Sequence, residues 1–413
     1  MKKSADIAKI AGLLIATWGT VMTVGCGGSG GSNAHPSTGT GQNVQSIAVS
    51  SGPLKNYING LFISVTVCVP GSTSCQTIDN VLVDTGSSGL RLLSSGGGGT
   101  LTLALPQQTN SGNPVGECAQ FADGITWGAV KTADIQISGE KAASVPVQVI
   151  ADTAVPTTPP SSCSALGTPE DNLNGLLTNG ILGISAFAQD CGAFCTTANT
   201  SGPPAGWYYA CPSSGCIPAF EDLTQQLQNP VTLFATDNNG VIIQLPSVPA
   251  AGSATVSGSL IFGIGTQTNN SLGSAKVFAI DQFGNFTTIF KSKSYTQSFL
   301  DSGSNGLFFL DSTTTGMATC SSSSNAPGFY CPNSIQNFSA TQQVTGGNTS
   351  NPVSFSVDNA SNLVNSGNLA FVNIGAPNPG IFDWGLPFFY GKNVFTAIEG
   401  QNTPAGTGPY WAY

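Results

Sequence analysis

The sequence has 413 residues, of which 8% are charged and 40% are hydrophobic, and its formal net charge is −9. Lys and Arg together number only 11, too few to neutralise many phosphates, which argues against nucleic acid as a partner. The length suffices for two lobes with separate cores, and the 52 glycines suit short strands joined by tight turns. We therefore expect a mainly β protein.

Residues 1–25 have the pattern of a signal peptide. A lysine-containing start precedes an apolar run over residues 10–24, which is too short for a membrane-spanning helix. The run ends in Val24-Gly25-Cys26, which resembles a bacterial lipoprotein signal with Cys26 as the lipidated N-terminus, although Thr23 stands where Leu is usual. Because Gly27 follows, we expect an outer-membrane lipoprotein of the cell envelope. An ordinary signal peptide cleaved nearby is the alternative.

Residues 26–45 form a Gly/Ser-rich tether, which we expect to be flexible, with folded structure beginning near residues 44–47. The tether contains His35, the only His in the chain. The folded body therefore cannot contain a Ser-His-Asp site, a Cys-His site or a His-ligated zinc site. Any acid–base chemistry must use carboxylates.

Eleven cysteines leave ten once Cys26 is set aside, an even number that indicates disulfides in an oxidising compartment. Local spacing and the remainder give three expected pairs: Cys68 with Cys75, Cys320 with Cys331, and Cys118 with Cys163. Four further cysteines have no defined connectivity: Cys191, Cys195, Cys211 and Cys216. A metal site in this last group is the alternative, but its spacings do not match zinc knuckles, and we expect no metal.

One acidic turn occurs twice, in VLVDTGSSGLRLL (residues 81–93) and in SFLDSGSNGLFFL (residues 298–310). In each copy an apolar strand delivers an Asp, Asp84 or Asp301, to a Gly-containing turn, and a second apolar run follows. One such turn can arise by chance in a Gly/Ser/Thr-rich chain, whereas two with matching flanks indicate a duplication. Two lobes related by a pseudo-twofold axis would bring the carboxylates together and drive their pKa values apart.

The two turns, Asp84-Thr85-Gly86-Ser87 and Asp301-Ser302-Gly303-Ser304, resemble the catalytic signatures of the pepsin-like aspartic proteases. The resemblance implies that Asp84 and Asp301 are catalytic. It also implies that Thr85 and Ser302 brace the two turns against each other, while Ser87 and Ser304 hydrogen-bond the carboxylates.

Further segments are similar to landmarks of this family, in the family's order, over most of the chain after the tether. They are the flap hairpin (FADGITWGAVKTADIQISG, 121–139), the first-lobe strand (NGILGIS, 179–185), the helix after it (PAFEDLTQQL, 218–227), the interlobe strand (SGSLIFGIG, 257–265) and the final segment (DWGLPFFYGKNVFTAIE, 383–399).

The sequence also departs from the family pattern around the flap residues Phe121, Gly124 and Trp127. Phe121 stands where Tyr is usual, and Arg91, the only Arg in the chain, replaces the Trp that normally partners it. Trp127 either substitutes for the missing contact or packs beneath the hairpin. Arg91 either supports the turn or pairs with a carboxylate and depresses its pKa.

A second departure lies in the last segment, where Asp383-Trp384-Gly385 replaces two aliphatic residues before Gly. The chain also lacks a basic prosegment that would pair with the two Asp.

The resemblance implies a mainly β, two-lobed pepsin-like fold with a cleft between the lobes, at residues 46–247 and 248–413. It implies a monomeric aspartic endopeptidase, active at acidic or mildly acidic pH, that needs no cofactor and acts on peptide or protein substrates through a water held by the two Asp. The membrane would be reached only through the lipid anchor. The alternatives are a surface lipoprotein that binds peptides or proteins without cutting them, and a self-processing or highly restricted enzyme.

Overall fold

The computed structural model describes residues 41–197, 202–344, 347 and 349–413. This part of the chain is mainly β, as the composition predicts, and its first strand begins at Val44, within the expected range. None of its helices is long and apolar enough to cross a membrane. The signal peptide, Cys26 and all but the last residues of the tether lie outside the described residues.

The strands coincide with short runs rich in Val, Ile, Phe and Thr, which suit a half-buried pleated surface. In chain order they are β1 (Val44–Ser50), β2 (Gly60–Cys68), β3 (Cys75–Asp84), β4 (Ser88–Leu93), β5 (Thr109–Asn110), β6 (Asn113–Gln120), β7 (Ile125–Ile137), β8 (Glu140–Ile150), β9 (Gly180–Ile184), β10 (Tyr208–Ala210), β11 (Ile217–Ala219), β12 (Gly240–Leu245), β13 (Val256–Phe262), β14 (Val277–Ala279), β15 (Phe286–Phe290), β16 (Lys293–Leu300), β17 (Leu307–Leu310), β18 (Gln336–Gln343), β19 (Ser350–Val357), β20 (Gly375–Ala376), β21 (Asn378–Trp384), β22 (Lys392–Ala397), β23 (Asn402–Thr403), β24 (Gly406–Thr407) and β25 (Tyr410–Ala412).

Helices are few and short among the described residues. The α-helices are α1 (Ser161–Ser164), α2 (Leu173–Leu176), α3 (Ser312–Thr315), α4 (Ala360–Asn365) and α5 (Leu386–Phe389), and the 3₁₀ helices are Ser95–Gly97, Gly192–Cys195 and Pro230–Leu233. Asn172, Asp311 and Asn359 cap α2, α3 and α4 through side-chain oxygens that accept from backbone N–H groups of the first turn.

The helix expected at residues 218–227 is wrong. The segment starts in strand β11 and continues as turns. Pro218 lies in that strand, and side chains take up carbonyls that a helix would use internally. Gln226 Nε2 donates to Glu221 O (2.9 Å), and Gln108 Nε2 donates to Gln225 O (2.8 Å).

Most strands join one large sheet, with the order β11-β10-β6-β7-β8-β4-β9-β3-β2-β1-β13-β12-β22-β25-β14 and β5 beside β6. An additional pairing of β7 with β2 closes the strands from β2 to β7 into a ring. A second sheet has the order β19-β18-β15-β16-β21-β17-β20. The large sheet combines strands from both sides of residue 247.

Both sheets contain the same three-strand unit. In the large sheet β9 lies between β3, to which it is parallel, and β4, to which it is antiparallel. In the second sheet β21 lies in the same way between β16 and β17. The two units carry the two acidic turns.

Five disulfides join cysteines of the described residues. Three are the expected pairs, which are confirmed: Cys68–Cys75, Cys118–Cys163 and Cys320–Cys331. The other two, Cys191–Cys195 and Cys211–Cys216, resolve the connectivity that spacing left open. This number of disulfides favours an oxidising location outside the cytoplasm.

Candidate active site

Asp84 and Asp301 occupy equivalent places in the two three-strand units. Asp84 is the last residue of β3, and Asp301 directly follows β16. The register is the same in both units, because Leu182 of β9 and Trp384 of β21 each pair with the strand before the turn and with the strand after it. The duplicated sequence is therefore folded into duplicated geometry.

Thr85 and Ser302 join the two turns through reciprocal hydrogen bonds, and both side chains are buried. The backbone N of Thr85 donates to Ser302 Oγ (3.1 Å), and the backbone N of Ser302 donates to Thr85 Oγ1 (2.9 Å). Each hydroxyl then donates to the opposite strand, Thr85 to Leu300 O (3.1 Å) and Ser302 to Val83 O (2.8 Å). These four bonds fix the separation of the carboxylates, which is the bracing that the resemblance implied.

Each carboxylate also accepts hydrogen bonds from its own turn. Asp84 accepts from the backbone N of Gly86 (2.7 Å) and from the Ser87 hydroxyl. Asp301 accepts from the backbone N of the glycine two positions later (2.8 Å) and from Ser304 Oγ (2.9 Å). Such donors stabilise the ionised form of a carboxyl group.

The two glycines let the turns approach each other. A Cβ on Gly86 would lie 2.9 Å from the carboxyl carbon of Asp301, and one on Gly303 would lie 2.8 Å from Asp84 Oδ1. Close approach is the physical need that glycine meets here. It permits a hydrogen bond between the carboxyl groups of Asp84 and Asp301.

The pKa of Asp301 is raised well above its ordinary value, first by burial, then by the negative charges of Asp84 and of Asp383. Two adjacent carboxyl groups cannot both ionise readily, so the pair retains one proton over a wide pH range. An acid and a base thus lie side by side.

A pocket of about 180 Å³ opens onto the two carboxyl groups. Its lining also includes four titratable side chains to which the sequence analysis assigned no role: Tyr57, Asp123, Glu170 and Asp383. Burial raises the pKa of the Tyr57 hydroxyl, and the charges of Asp123, Glu170, Asp301 and Asp84 raise it further. The pocket surface is therefore strongly electronegative, and no Lys, Arg or His of the described residues lines it.

A hairpin of β6 and β7 covers the pocket, as expected for the flap segment. Its tip closes with a hydrogen bond from Phe121 N to Gly124 O (2.8 Å), and the Phe121 side chain lines the pocket. Gly124 packs against the neighbouring loop, where an added Cβ would lie 2.6 Å from Thr168 O.

Trp127 is not among the residues that line the pocket, and it packs beneath the hairpin, the second of the two alternatives that the sequence left open. Its side chain is 2% exposed beneath the hairpin, where Nε1 donates to Pro156 O (2.7 Å). The ring packs edge-on against Tyr209, with centroids 5.4 Å apart. The buried position follows from the alternation of β7, which points this residue into a small apolar cluster around the Cys118–Cys163 disulfide.

Arg91 is buried and joins the flap to the strands below it. Its guanidinium pairs with Glu117 (2.5 Å) and Asp190 (3.2 Å) and donates to Ser88 O (2.9 Å). Its Cζ also lies 5.6 Å from the centre of the Phe121 ring. Arg91 thus supports the strand after the turn and pairs with carboxylates. Burial holds the pKa of Glu117 well above its ordinary value, although the charge of Arg91 and its hydrogen bond lower that pKa.

Among the described residues, no group of three or more His, Cys, Asp or Glu side chains is arranged to hold a metal ion. In comparisons with known proteins, the model of a family described as "Protein of unknown function (DUF3443)" matches residues 39–413. No curated protein matches the chain.

Proposed function

For this chain, which belongs to the DUF3443 family, we propose the hydrolysis of peptide bonds by a water molecule held between Asp84 and Asp301. The observation that carries the proposal is the pair of copied turns, which are bonded to each other and open onto one covered pocket. The proposal includes a two-lobed pepsin-like architecture, with lobes at residues 46–247 and 248–413. The repeated three-strand unit supports it.

The two carboxyl groups have different roles in this reaction. Asp84, which accepts hydrogen bonds from Gly86 and Ser87, is the carboxylate that removes a proton from the water. Asp301, whose raised pKa keeps it protonated, gives its proton to the carbonyl oxygen of the substrate. The tetrahedral intermediate collapses when the amine nitrogen leaves with the proton that Asp84 took, and the proton on the former carbonyl oxygen returns to Asp301.

A peptide substrate would lie in extended form between the two turns and the tip of the hairpin. Phe121 offers a ring to the substrate without a hydroxyl, and Arg91 holds that ring from behind. The missing hydroxyl favours the second candidate function, in which the same pocket binds peptides without cutting them.

The test compares the parent protein with Asp301→Asn in the digestion of an unstructured protein between pH 3 and 8. We expect the parent to cut and the variant to lose the activity while keeping its fold, because an amide keeps the shape of the carboxyl group but cannot supply the proton. Asp79→Asn, which removes an exposed carboxylate from the middle of β3, is the matched control and should cut like the parent.

A statine-type peptide, whose hydroxyl stands where the water would lie, should bind the parent more tightly than Asp301→Asn. If neither protein cuts but the parent binds peptides in the pocket, the binding function replaces hydrolysis. If the parent neither cuts nor binds, both candidate functions fail.

We further propose that the protein acts in the cell envelope, attached to the outer membrane through a lipid on Cys26. The five disulfides support an exported protein. The lipid attachment rests on the signal pattern that ends in Cys26.

A further inference from the structure

Asp383 breaks the symmetry of the two three-strand units. By register, its equivalent in the first unit is Ile181, since the two residues directly precede the paired residues Leu182 and Trp384. Both Ile181 and Asp383 line the pocket. A carboxyl group thus replaces an aliphatic side chain on one side of the site only.

Asp383 lies against the serine of its turn. Ser304 Oγ is 2.9 Å from Asp301 Oδ2 and 2.6 Å from Asp383 Oδ2. One hydroxyl has one proton, so Ser304 donates to only one of these two oxygens. The other short contact requires a proton on a carboxyl group, which then donates to Ser304.

Buried surroundings favour the neutral form of Asp383. Asp383 is 6% exposed, and its Oδ1 has no hydrogen-bond partner among the described residues. The pKa of Asp383 is raised to about 8, chiefly by burial and to a smaller extent by the charge of Asp84, against the Ser304 hydrogen bond, which lowers it.

The titratable groups that face Asp383 are all acidic. Asp301 follows β16, which pairs with β21 on one side, and Asp84 faces it from the opposite turn. Across the pocket lie the other titratable lining groups, Tyr57, Asp123 and Glu170. The strand on its other side, β17 (Leu307–Leu310), has no titratable side chain. Lys293 and Tyr295 of β16 lie at the start of that strand, whereas Asp383 pairs near its end.

We propose that Asp383 is a positioning residue that holds a proton beside Ser304 and, through its own negative charge once it ionises, keeps the Asp84–Asp301 pair singly protonated to higher pH. Protonated Asp383 donates to Ser304, and Ser304 donates to Asp301. When Asp383 ionises at higher pH, its negative charge opposes loss of the proton that Asp84 and Asp301 share. The catalytic meaning of this arrangement rests on the proposed hydrolysis, which would then extend to neutral pH beyond the acidic range expected from the two Asp alone.

The first test needs no substrate. The aspartate carboxyl carbons are labelled with ¹³C and titrated by NMR in the parent and in Asp383→Asn. We expect the signal that the variant lacks to titrate near pH 8 in the parent, and the Asp301 signal to titrate at lower pH in the variant. If the missing signal titrates near pH 4, as an ordinary Asp does, the inference is overturned.

The second test is the pH profile of kcat/KM for the parent, Asp383→Asn and Asp383→Leu. Both variants remove the charge, so the alkaline limb should move to lower pH by roughly one pH unit or more, the size of shift that a charge within ~4–6 Å produces. A merely structural role would change the rate or the Tm without moving the limb, and that result would overturn the inference. Asp79→Asn should leave the limb in place.

The two proposals fail separately. If the parent cuts nothing at any pH, the proposed hydrolysis is wrong, while the NMR titration still decides whether Asp383 holds the proton. Because the amide of Asp383→Asn has the shape of a protonated carboxyl group, this variant remains informative if Asp383→Leu does not fold.

Discussion

Arg91 and Phe121, the two residues that depart from the pattern of the proposed pepsin-like resemblance, contact each other. The positive charge of the buried Arg91 guanidinium is balanced, because it pairs with the carboxyl groups of Glu117 and Asp190. Asp190 also accepts from Trp207 Nε1 (2.8 Å) and Tyr208 OH (2.7 Å). Phe121 at the tip of the hairpin is thus linked through Arg91 to a buried cluster of charged groups.

Arg91→Met should destabilise the protein by about 3–5 kcal/mol, because it leaves Glu117 and Asp190 buried without their cation. Lys131→Met is the comparison. Lys131 pairs with Asp152 at 3.2 Å with side chains that are 11% and 22% exposed, so water still reaches this pair and its loss should cost less than that of Arg91. Urea unfolding at pH 7 with the disulfides intact measures both. Equal losses would contradict the assignment of Arg91 as the support of this cluster.

The stability of the protein should fall as the pH rises from about 4 to about 8, and Asp383 should contribute to the fall. Its pKa is raised to about 8 in the folded protein, so the folded state binds a proton that the unfolded chain releases over this range. Asp383→Asn removes this contribution. As the pH rises, the unfolding free energy of the variant should therefore increase relative to that of the parent by at most ~1.4 kcal/mol per pH unit. Parallel pH dependences for parent and variant would show that Asp383 titrates normally.

Asp84 and Asp301 were predictable from the sequence because each stands in a copied pattern of strand, turn and strand. Asp383 left a weaker signal, a charged residue where the proposed resemblance predicts an aliphatic one, and no sequence pattern places it beside Ser304. Tyr57 and Glu170 left none, because loops bring them to the pocket and loop paths depend on packing across the whole molecule.

At the scale of elements, the two acidic turns act as one rigid unit because each glycine lies against the opposite carboxylate. Gly303→Ala would place a methyl group 2.8 Å from Asp84 Oδ1 and force the carboxyl groups apart. We expect kcat/KM to fall by about 10²-fold, the effect of a misplacement of ~1 Å, with a loss of stability of about 1–3 kcal/mol.

The control for this change is Gly202→Ala, where an added Cβ meets no atom within 4 Å. Steady-state kinetics, binding of a statine-type peptide and urea unfolding are measured for both variants. Parent-like activity and binding in Gly303→Ala would show that the activity of the site does not depend on the spacing of the two carboxyl groups.

The strands were more predictable than the helix. Short apolar runs that begin or end next to Gly or Asn predict β3, β9 and β13, and the structure buries these runs within paired strands. The segment at residues 218–227 has helix-forming Glu, Leu and Gln, yet contacts from Gln108 and Gln226 hold it in turns. Local propensity fails there because tertiary hydrogen bonds outweigh it.

At the scale of the whole molecule, the location of the protein depends on residues before the described part of the chain. If Cys26 carries the lipid, mass spectrometry of the mature N-terminus should find a lipidated Cys, and Cys26→Ser should release the protein from the membrane fraction or leave it unprocessed. An unmodified mature N-terminus upstream of Cys26 would contradict the anchor, and the same variant should keep the fold of residues 41–413.

The order in which the large sheet can be assembled matters for a chain that crosses a membrane N-terminus first. Val44, in the first strand, pairs with Ile261, and the last strand, β25, links β14 to the rest of the sheet. In such a chain, one edge of β1 has no partner until β13 follows, after more than half of the chain has crossed. The sheet is incomplete until β25, which begins at Tyr410, has crossed as well. An unpaired strand edge readily joins other chains. Strand pairing between distant parts of the chain therefore leaves an open sheet edge until the final strand is in place.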